Sequence, residues 1–270
     1  MEKYVFADGR EFPFIASRQN PRVTRTAKLG DKKHREMCGR FLCEGLKLTL
    51  EAASYGRLSE IYLRESDAPK YADTVGSLGA LGCEVFVLSD AAFDKITTEK
   101  APQGIIAVAE CEKCGSEVPE EGNILFLDSV RDPGNLGTIL RSACAFGRVS
   151  VALHSCADIY NPKTVRAAMG AIFKASLIAA DDAVAFLGRC KAQGRRILGA
   201  ALTLDSLTLG GYDTRSDDVV VVGNEGHGIS REILDCCDGC VFIPMNANTE
   251  SLNASVAASV ILWEYARGNK

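Results

Sequence analysis

The sequence has 270 residues, of which 47% are hydrophobic, a composition that suits a soluble chain with a buried core. Its longest apolar runs, such as Val219–Val222, are far too short to cross a membrane, and its charged N-terminus lacks a signal-peptide core, so we expect a cytoplasmic protein without membrane contact. The net charge of −4 excludes a uniformly basic nucleic-acid binder.

Positive charge is nevertheless concentrated near the N-terminus. Between Ser17 and Lys47 the chain has nine Lys and Arg residues but only three Asp and Glu residues. Such an excess is typical of a surface that binds phosphate, although a solvated helix face has the same composition. The candidate phosphate-binding residues of this stretch are Arg18, Arg22, Arg25, Lys28, Lys32 and Lys33.

The first half of the chain alternates predicted helices and strands. Apolar residues at helical spacing predict helices over 32–55, 71–81 and 90–97. Short apolar runs predict strands over 61–63, 83–88 and 105–111. The stretch 111–122 is polar and has no apolar periodicity, which is typical of a linker. We therefore predict one domain over 1–112, a linker over 113–122 and a second domain over 123–270.

The second half repeats a strand followed by a helix. The predicted strands cover 123–128, 149–153, 175–179, 196–200, 218–223 and 239–243. The predicted helices cover 135–146, 161–173, 182–193 and 251–267. This alternation predicts an α/β fold with a mostly parallel sheet that helices cover on both faces. Ligands of such sheets bind at the carboxyl ends of strands, so we expect the site in the loops after Asp128, Ala200, Gly223 and Ile243.

Three segments at these strand ends have an unusual density of polar residues and glycines. In the first, Asp128–Arg141, a Pro-Gly turn follows a strand and Asn135 stands where a helix cap belongs. The arginines of this segment, Arg131 and Arg141, are suited to a two-pronged phosphate contact. In the second, Val222–Ser230, three glycines permit close backbone approach or positive φ angles, and Glu225 suits a positive ligand group or a hydroxyl. Each segment also has a purely structural interpretation as a well-built loop, and His227 is interpreted as an ordinary loop residue.

The third segment, Ile243–Ser259, runs from a strand end through a polar loop into the last helix. Ser251 is predicted to open this helix, and Ser251 and Asn253 are ordinary capping residues. We expect Leu252, Val256, Val260 and Trp263 to face inward. The alanines and serines in the middle of the helix permit close packing against a loop or a subunit.

Eleven cysteines are scattered along the chain, a distribution that favours reduced thiols over a disulfide framework. Two C-x-x-C pairs, Cys111/Cys114 and Cys237/Cys240, have enough thiols for one zinc ion. The spacing is not that of a zinc ribbon and no His-rich stretch accompanies it, so we predict no metal.

Together and in this order, the three segments resemble the signature motifs of the SpoU, or TrmH, family of SPOUT RNA methyltransferases. The likeness covers about 123–267, includes the helix Asn161–Phe173 with its Arg166, and is looser in the N-terminal half. There, a Ser17-x-x-Asn20-x-x-Val23 opening is similar to a ribosomal-protein-like RNA-binding domain. The resemblance implies a deep trefoil knot in the C-terminal domain, a homodimer and S-adenosyl-L-methionine as cofactor.

The resemblance also assigns residues. It places Asn135, Arg141, Glu225, Ser251 and Asn253 at catalytic positions, and the cofactor among Leu202, Thr203, Gly223, Asn224, Gly226, Ile243, Met245 and Leu252. Arg131, Arg166 and the N-terminal cations are then expected to bind RNA. The implied activity is methylation of a ribose 2′-hydroxyl, with ribosomal RNA favoured by the added N-terminal domain. Methylation of tRNA, of a base or of a protein, and a non-catalytic RNA-binding or ribosome-assembly role, are the alternatives, whereas a dinucleotide-dependent oxidoreductase lacks its fingerprint.

Overall fold

The computed structural model describes residues 2–80, 82–147, 149–246 and 251–268. Its strands are β1 (Lys3–Val5), β2 (Glu11–Ile15), β3 (Arg40–Glu44), β4 (Leu58–Arg64), β5 (Glu84–Leu88), β6 (Ile105–Glu110), β7 (Asn123–Asp128), β8 (Val149–His154), β9 (Ser176–Ala179), β10 (Ile197–Ala200), β11 (Leu207–Thr208), β12 (Val219–Val222) and β13 (Gly239–Phe242). Its α-helices are α1 (Pro21–Ala27), α2 (Lys32–Cys38), α3 (Leu46–Ser54), α4 (Ala72–Gly79), α5 (Asp90–Ile96), α6 (Pro133–Phe146), α7 (Pro162–Ala168), α8 (Ala183–Ala192), α9 (Arg231–Leu234) and α10 (Ala254–Gly268).

These elements form two compact units, and each has its own sheet. The first unit comprises Met1–Glu112 together with Tyr160–Phe173, and the second comprises Lys113–Ile159 with Lys174–Lys270. The sequence prediction placed 160–173 in the second domain. The structure instead packs this segment into the first unit, where the Tyr160 and Phe173 rings lie 4.6 and 5.9 Å from the ring of Phe41.

The first unit has a six-stranded mixed sheet in the order β1-β2-β5-β4-β6-β3. The predicted helix 32–55 is wrong, because Gly39 and Gly45, with φ of 64° and 97°, separate two helices from a strand between them. That strand, β3, pairs antiparallel with β6 and buries Phe41, Leu42 and Cys43. Although β3 is an edge strand, its apolar residues are buried. In the sequence, these residues and those of α3 happen to be spaced as on one helix.

The second unit has a seven-stranded sheet in the order β11-β13-β10-β12-β7-β8-β9, and all its named strand pairs are parallel. This confirms the predicted parallel α/β architecture. On one face of the sheet, alternate residues of β7 and β12, among them Phe126 and Val221, pack against Phe186 and Leu187 of α8. Because every strand is parallel, the loops that follow β7, β10, β12 and β13 all leave the same edge of the sheet.

Helix α10 begins at Ala254, three residues later than predicted, and its inward face differs from the predicted one. Val256, Val260 and Trp263 are 46%, 36% and 54% exposed, so their predicted inward orientation is wrong. The buried residues of the helix are Ala254, Ser255, Ala258, Ile261, Leu262 and Tyr265. Three of these residues have small side chains, namely Ala254, Ser255 and Ala258. Helices α6 and α10 therefore approach closely, and the hydroxyl oxygens of Ser142 and Ser259 are hydrogen-bonded at 2.7 Å.

A buried carboxylate fixes the far end of α10 to the sheet. Asp218, which is fully buried, accepts bonds of 2.9 and 2.6 Å from Arg196 and one of 2.9 Å from the Tyr265 hydroxyl. Burial and the hydrogen-bonded neighbours Tyr212 and Asp218 raise the pKa of Tyr265, so the phenol stays a donor. The helix is therefore anchored at its C-terminal half, while its N-terminus points toward the strand ends that carry the predicted site.

Candidate active site

The loops after β10, β12 and β13 enclose a cavity of about 320 Å³ with the start of α10. The three positions on which the cofactor prediction mainly depends, Gly223, Ile243 and Leu252, all line it. Residues 247–250, in the polar loop of the third predicted segment, lie outside the described residues. The described lining residues are Ala200, Ala201, Leu202, Leu209, Val222, Gly223, Asn224, Glu225, Gly228, Val241, Phe242, Ile243, Met245, Ser251, Leu252, Ala254, Ala257 and Ile261.

The cavity contains most of the predicted cofactor residues and some of the predicted catalytic ones. Besides the three just named, Leu202, Asn224 and Met245 line it, as do the predicted catalytic residues Glu225 and Ser251. Thr203 and Gly226 are not among its lining residues. Thr203 is held outside by the Ser206 hydroxyl, which accepts its backbone N–H at 2.6 Å, and Gly226 donates its N–H to the Asn224 side chain at 2.8 Å.

Gly223 is needed where the loop after β12 folds back on itself. A Cβ built on Gly223 would lie 2.2 Å from the carbonyl carbon of Gly228 and 2.4 Å from the nitrogen of Ile229. Asn224 and Gly228 exchange backbone hydrogen bonds of 3.0 and 2.8 Å, and Gly228 has a φ of 69°. The glycines thus make a tight turn that forms the cavity wall: Gly223 approaches backbone of the same loop, and Gly228 has the positive φ angle that the sequence allowed.

Side chains of the strand β7 end hold this loop in place. Asp128, only 2% exposed, accepts the backbone N–H of Ser230 at 2.8 Å, and the Asn224 amide donates to the carbonyl of Ser129 at 2.8 Å. Ser129 has a φ of 58°, a backbone conformation that residues other than glycine seldom adopt. The strand ends β7 and β12 therefore act as one rigid support for the cavity wall.

Asn135 links two other predicted catalytic residues. Its amide nitrogen donates to the Glu225 carboxylate, and its amide oxygen accepts from the Asn253 amide at 3.0 Å. The Oδ1 atom of Asn253 in turn accepts the backbone N–H of Ser255 at 3.0 Å, so Asn253 caps α10 as the sequence suggested. This series of hydrogen bonds places the amides of Asn135 and Asn253 and the carboxylate of Glu225 beside the cavity, although the three residues are far apart in the sequence.

The helix cap predicted at Asn135 is wrong, because Asp132 caps α6. The Asp132 carboxylate accepts the backbone N–H of Asn135 at 2.8 Å, and Pro133 occupies the first turn, where its missing N–H is harmless. The side chain of Asn135 is consequently available for Glu225 and Asn253 rather than for its own helix.

Arg141 lies two turns further along α6, on an exposed part of the helix. It does not line the cavity, and its guanidinium makes no hydrogen bond or ion pair with any residue that the structure describes. Its five N–H donors are therefore open to a ligand in this chain.

The predicted phosphate-binding residues of the first unit fall into two groups. Arg18, Lys28, Lys32 and Lys33 are exposed. By contrast, Arg22 and Arg25 bind the buried carboxylate of Glu60 at 3.2 and 2.8 Å, and Arg166 forms an ion pair of 2.5 Å with Glu99. These guanidinium groups therefore compensate carboxylates of their own unit, among them the buried Glu60. Arg25 keeps a side chain that is 54% exposed.

Among the residues that the structure describes, no group of three or more His, Cys, Asp or Glu side chains has a geometry that would hold a metal ion. Burial and the neighbouring Cys240 and Cys236 thiols raise the pKa of Cys237 to about 12, so this thiol is protonated at neutral pH. None of the helices in the described part of the chain has the length and the apolar composition that a membrane span requires.

Three residues of the cavity wall, Leu209, Ala257 and Ile261, were not predicted from the sequence. Leu209 is brought there by β11, a two-residue strand whose pairing with β13 leaves no local pattern, and Leu209 then donates its N–H to the carbonyl of Phe242 at 2.9 Å. Ala257 and Ile261 line the cavity from α10. The run of alanines in α10 could have predicted this contact, because small side chains allow a ligand or another backbone to approach the helix closely.

Two family models match this chain. The model of the SpoU rRNA methylase family matches residues 122–263, and that of the MRM3-like substrate binding domain matches residues 20–107.

Curated relatives and solved structures span nearly the whole chain. It is 32% identical over 252 residues to the Bacillus subtilis 23S rRNA (guanosine(2553)-2′-O)-methyltransferase RlmP, an alignment that covers 92% of this chain and 97% of that protein. It is 32% identical over 226 residues to the Coxiella burnetii 23S rRNA (guanosine-2′-O-)-methyltransferase RlmB, covering 78% and 88%. The crystal structure of an AdoMet-bound rRNA methyltransferase from Sinorhizobium meliloti superposes with a TM-score of 0.82 at 28% identity, covering 95% and 98%.

Proposed function

We propose that this chain, which belongs to the SpoU rRNA methylase family, methylates a ribose 2′-hydroxyl of 23S ribosomal RNA. Like its family, the chain is an RNA 2′-O-methyltransferase that uses S-adenosylmethionine. The two named relatives both act on 23S rRNA, and they support the choice of RNA for this chain.

The observation that carries the proposal is the cavity at the ends of β10, β12 and β13. Its volume of about 320 Å³ lies at the lower end of the range for small-molecule sites, and its wall combines apolar side chains with backbone of the Gly223 turn. Leu202, Ile243 and Leu252 would contact the apolar parts of the cofactor. When bound there, S-adenosylmethionine supplies an activated methyl group.

The residues beside the cavity have the task of orienting the acceptor ribose. Asn135 is fixed by its bonds to Glu225 and Asn253, so its position does not depend on the arrival of RNA. We assign Glu225, Ser251 and Asn253 to the hydrogen-bonding surface that receives the ribose and its hydroxyl proton. Arg141 is assigned to the adjacent phosphate and to the negative charge that develops on the 2′-oxygen.

The first unit is assigned to RNA capture. The match of residues 20–107 to a substrate binding domain supports this assignment, as do the exposed cations Arg18, Lys28, Lys32 and Lys33. Arg22, Arg25 and Arg166 remain in the proposed contact set through the exposed parts of their side chains, and their ion pairs would hold the guanidinium groups in position.

Replacing Lys32 and Lys33 together with alanine should weaken binding to transcribed 23S rRNA and reduce the slope of log affinity against log salt concentration by about two, one for each lost phosphate contact. Filter binding at several salt concentrations measures this slope. Lys3→Ala is the matched control, since Lys3 lies on β1 at the opposite edge of the first sheet from the α2–β3 region. An unchanged slope in the double variant would remove both lysines from the proposed RNA surface.

We also propose a homodimer, a knotted C-terminal unit and a cytoplasmic location, in agreement with the family resemblance. The apolar side chains of Val256, Val260 and Trp263 form an exposed row along α10, which supports a contact with a second copy. The knot and the location follow from the family and from the ribosomal RNA substrate, and both stay predictions. Sedimentation of the purified protein tests the dimer directly.

Methylation of transcribed, unmodified 23S rRNA by the purified protein tests the activity and the RNA together. We expect transfer of labelled methyl to a single nucleotide, and nuclease digestion followed by mass spectrometry should place it on the ribose. Transcribed tRNA is the parallel substrate. Methylation of tRNA alone would overturn the choice of RNA, and binding of S-adenosylmethionine in calorimetry without any methyl transfer would favour a non-catalytic role.

A further inference from the structure

A second cavity, of about 530 Å³, lies on the other side of the loop that bounds the proposed cofactor cavity. Asn224 and Gly228 line both cavities, so the wall between them is a single turn of backbone. The second cavity has no part in the assignments made so far for the cofactor. Arg131, from the loop after β7, and His227 line it.

The second cavity has hydrogen-bond donors without a partner in the described chain. The guanidinium of Arg131 and the ring of His227 are exposed, and within the described ranges neither makes a hydrogen bond or an ion pair. The Ser230 hydroxyl also lines the cavity and does not cap α9. Arg131, His227 and Ser230 thus line one space, and a guanidinium, an imidazole and a hydroxyl are together a donor set for an anionic oxygen group.

Asp128, the one carboxylate among the described lining residues of the second cavity, is hydrogen-bonded to the surrounding loops. Its Oδ2 atom accepts the N–H of Ser230 at 2.8 Å and its Oδ1 atom accepts the Ser129 hydroxyl at 3.0 Å. Each oxygen of Asp128, which is only 2% exposed, thus already accepts a hydrogen bond from the surrounding loops. Its hydrogen bonds, with that from the Asn224 amide to the Ser129 carbonyl at 2.8 Å, fix the turn that separates the two cavities.

We propose that the second cavity binds one of the two phosphodiesters that flank the methylated ribose, the one that Arg141 does not contact. This inference rests on the proposed function, because it assumes that the acceptor 2′-oxygen lies at the mouth of the cofactor cavity. A nucleotide placed there has its neighbouring phosphate within reach of the other side of the same turn. Arg131 makes a two-pronged contact with that phosphate, which the planar guanidinium favours, and His227 adds a single hydrogen bond.

Such a contact has a definite role in the reaction. The turn around Gly223 and Gly228 is rigid and is shared by both cavities, so a phosphate held on one side fixes the position of the ribose relative to the other side. Arg131 and His227 are then positioning residues for RNA that do not touch the cofactor. Their loss should reduce kcat/KM for RNA and leave the affinity for S-adenosylmethionine unchanged.

The test compares Arg131→Ala, Arg131→Lys and His227→Ala with the wild type, using transcribed 23S rRNA as the probe. For Arg131→Ala we expect kcat/KM for RNA to fall about 10- to 100-fold and the salt slope of RNA binding to fall by about one. Arg131→Lys should restore the salt slope but only part of kcat/KM, because a lysine makes no forked contact. His227→Ala should lose less than Arg131→Ala. Arg267→Ala, at the far end of α10, is the matched control.

The outcomes separate this inference from the function on which it rests. If the wild type methylates RNA and Arg131→Ala matches Arg267→Ala in both kcat/KM and salt slope, the second cavity does not bind a phosphate. A fall in the melting temperature or in S-adenosylmethionine affinity together with kcat/KM would show a structural role and also overturn the inference. A wild-type protein that binds the cofactor and transfers no methyl group to 23S rRNA contradicts the proposed function itself.

Discussion

Gly223→Ala should lower the affinity of the chain for S-adenosylmethionine by about 100-fold or more, an effect of about 3 kcal/mol. The added methyl group would lie 2.2 Å from the carbonyl carbon of Gly228, and that atom is backbone. It cannot rotate away as the end of a long side chain could, because hydrogen bonds of 3.0 and 2.8 Å join Asn224 to Gly228. The turn must open, and with it the wall of the cofactor cavity moves.

Titration calorimetry with S-adenosylmethionine measures this loss, and circular dichroism shows whether the variant is folded. Gly188→Ala makes the same chemical change in α8, where an added Cβ meets no atom within 4 Å, so its affinity should equal that of the wild type. A Gly223→Ala protein that binds the cofactor normally would show that the cavity bounded by Gly223, Ile243 and Leu252 is not the cofactor site.

The architecture of the second unit followed closely from the sequence, and the reason is its burial pattern. Strands that are covered on both faces, such as β7 and the four valines of β12, are continuous apolar runs, and they end where polar loops begin. Their boundaries were therefore predictable to within a residue or two. The order of the strands was not, because the pairing of β10 with both β12 and β13 joins segments that no local pattern connects.

The errors arose where an apolar pattern has more than one physical cause. Val256, Val260 and Trp263 follow helical spacing, and the sequence could not show whether that row faces the core of its own chain or the surface. In the first unit, Gly39 and Gly45 were the available signal against one long helix, since both need positive φ. At α6, Pro133 was the signal that Asp132 and not Asn135 caps the helix.

The composition of the candidate site depended on resemblance more than on local physics. Asn135 contacts Glu225, 90 residues away, and Asn253, 118 residues away, and periodicity carries no information about such contacts. The rule that ligands bind at the carboxyl ends of parallel strands did locate the cavity between the correct loops. The second cavity was not predicted from the sequence, and one of its lining residues is His227, which was interpreted as an ordinary loop residue.

Arg141→Ala should lower kcat about 100- to 1000-fold while S-adenosylmethionine affinity stays unchanged, as expected for the loss of one preorganised donor to developing negative charge. Arg141 is exposed, lies outside the cofactor cavity and has no partner among the described residues, so its removal leaves the cavity intact. A guanidinium keeps its proton at neutral pH, which argues that Arg141 stabilises the alkoxide and an adjacent phosphate and does not act as the base.

Arg141→Lys separates these interpretations, because lysine keeps the positive charge and removes the fork. If the two-pronged contact matters, single-turnover methylation of 23S rRNA by Arg141→Lys should stay well below the wild-type rate at every pH. If Arg141 were the base, lysine, whose ordinary pKa is about 10.4, should give a rate that rises with pH toward that value. Near-normal turnover of Arg141→Lys at neutral pH would show that the positive charge alone suffices. Turnover of Arg141→Ala at the wild-type rate would show that Arg141 does not stabilise the alkoxide, and would assign that role to Asn135 and its hydrogen-bonded partners.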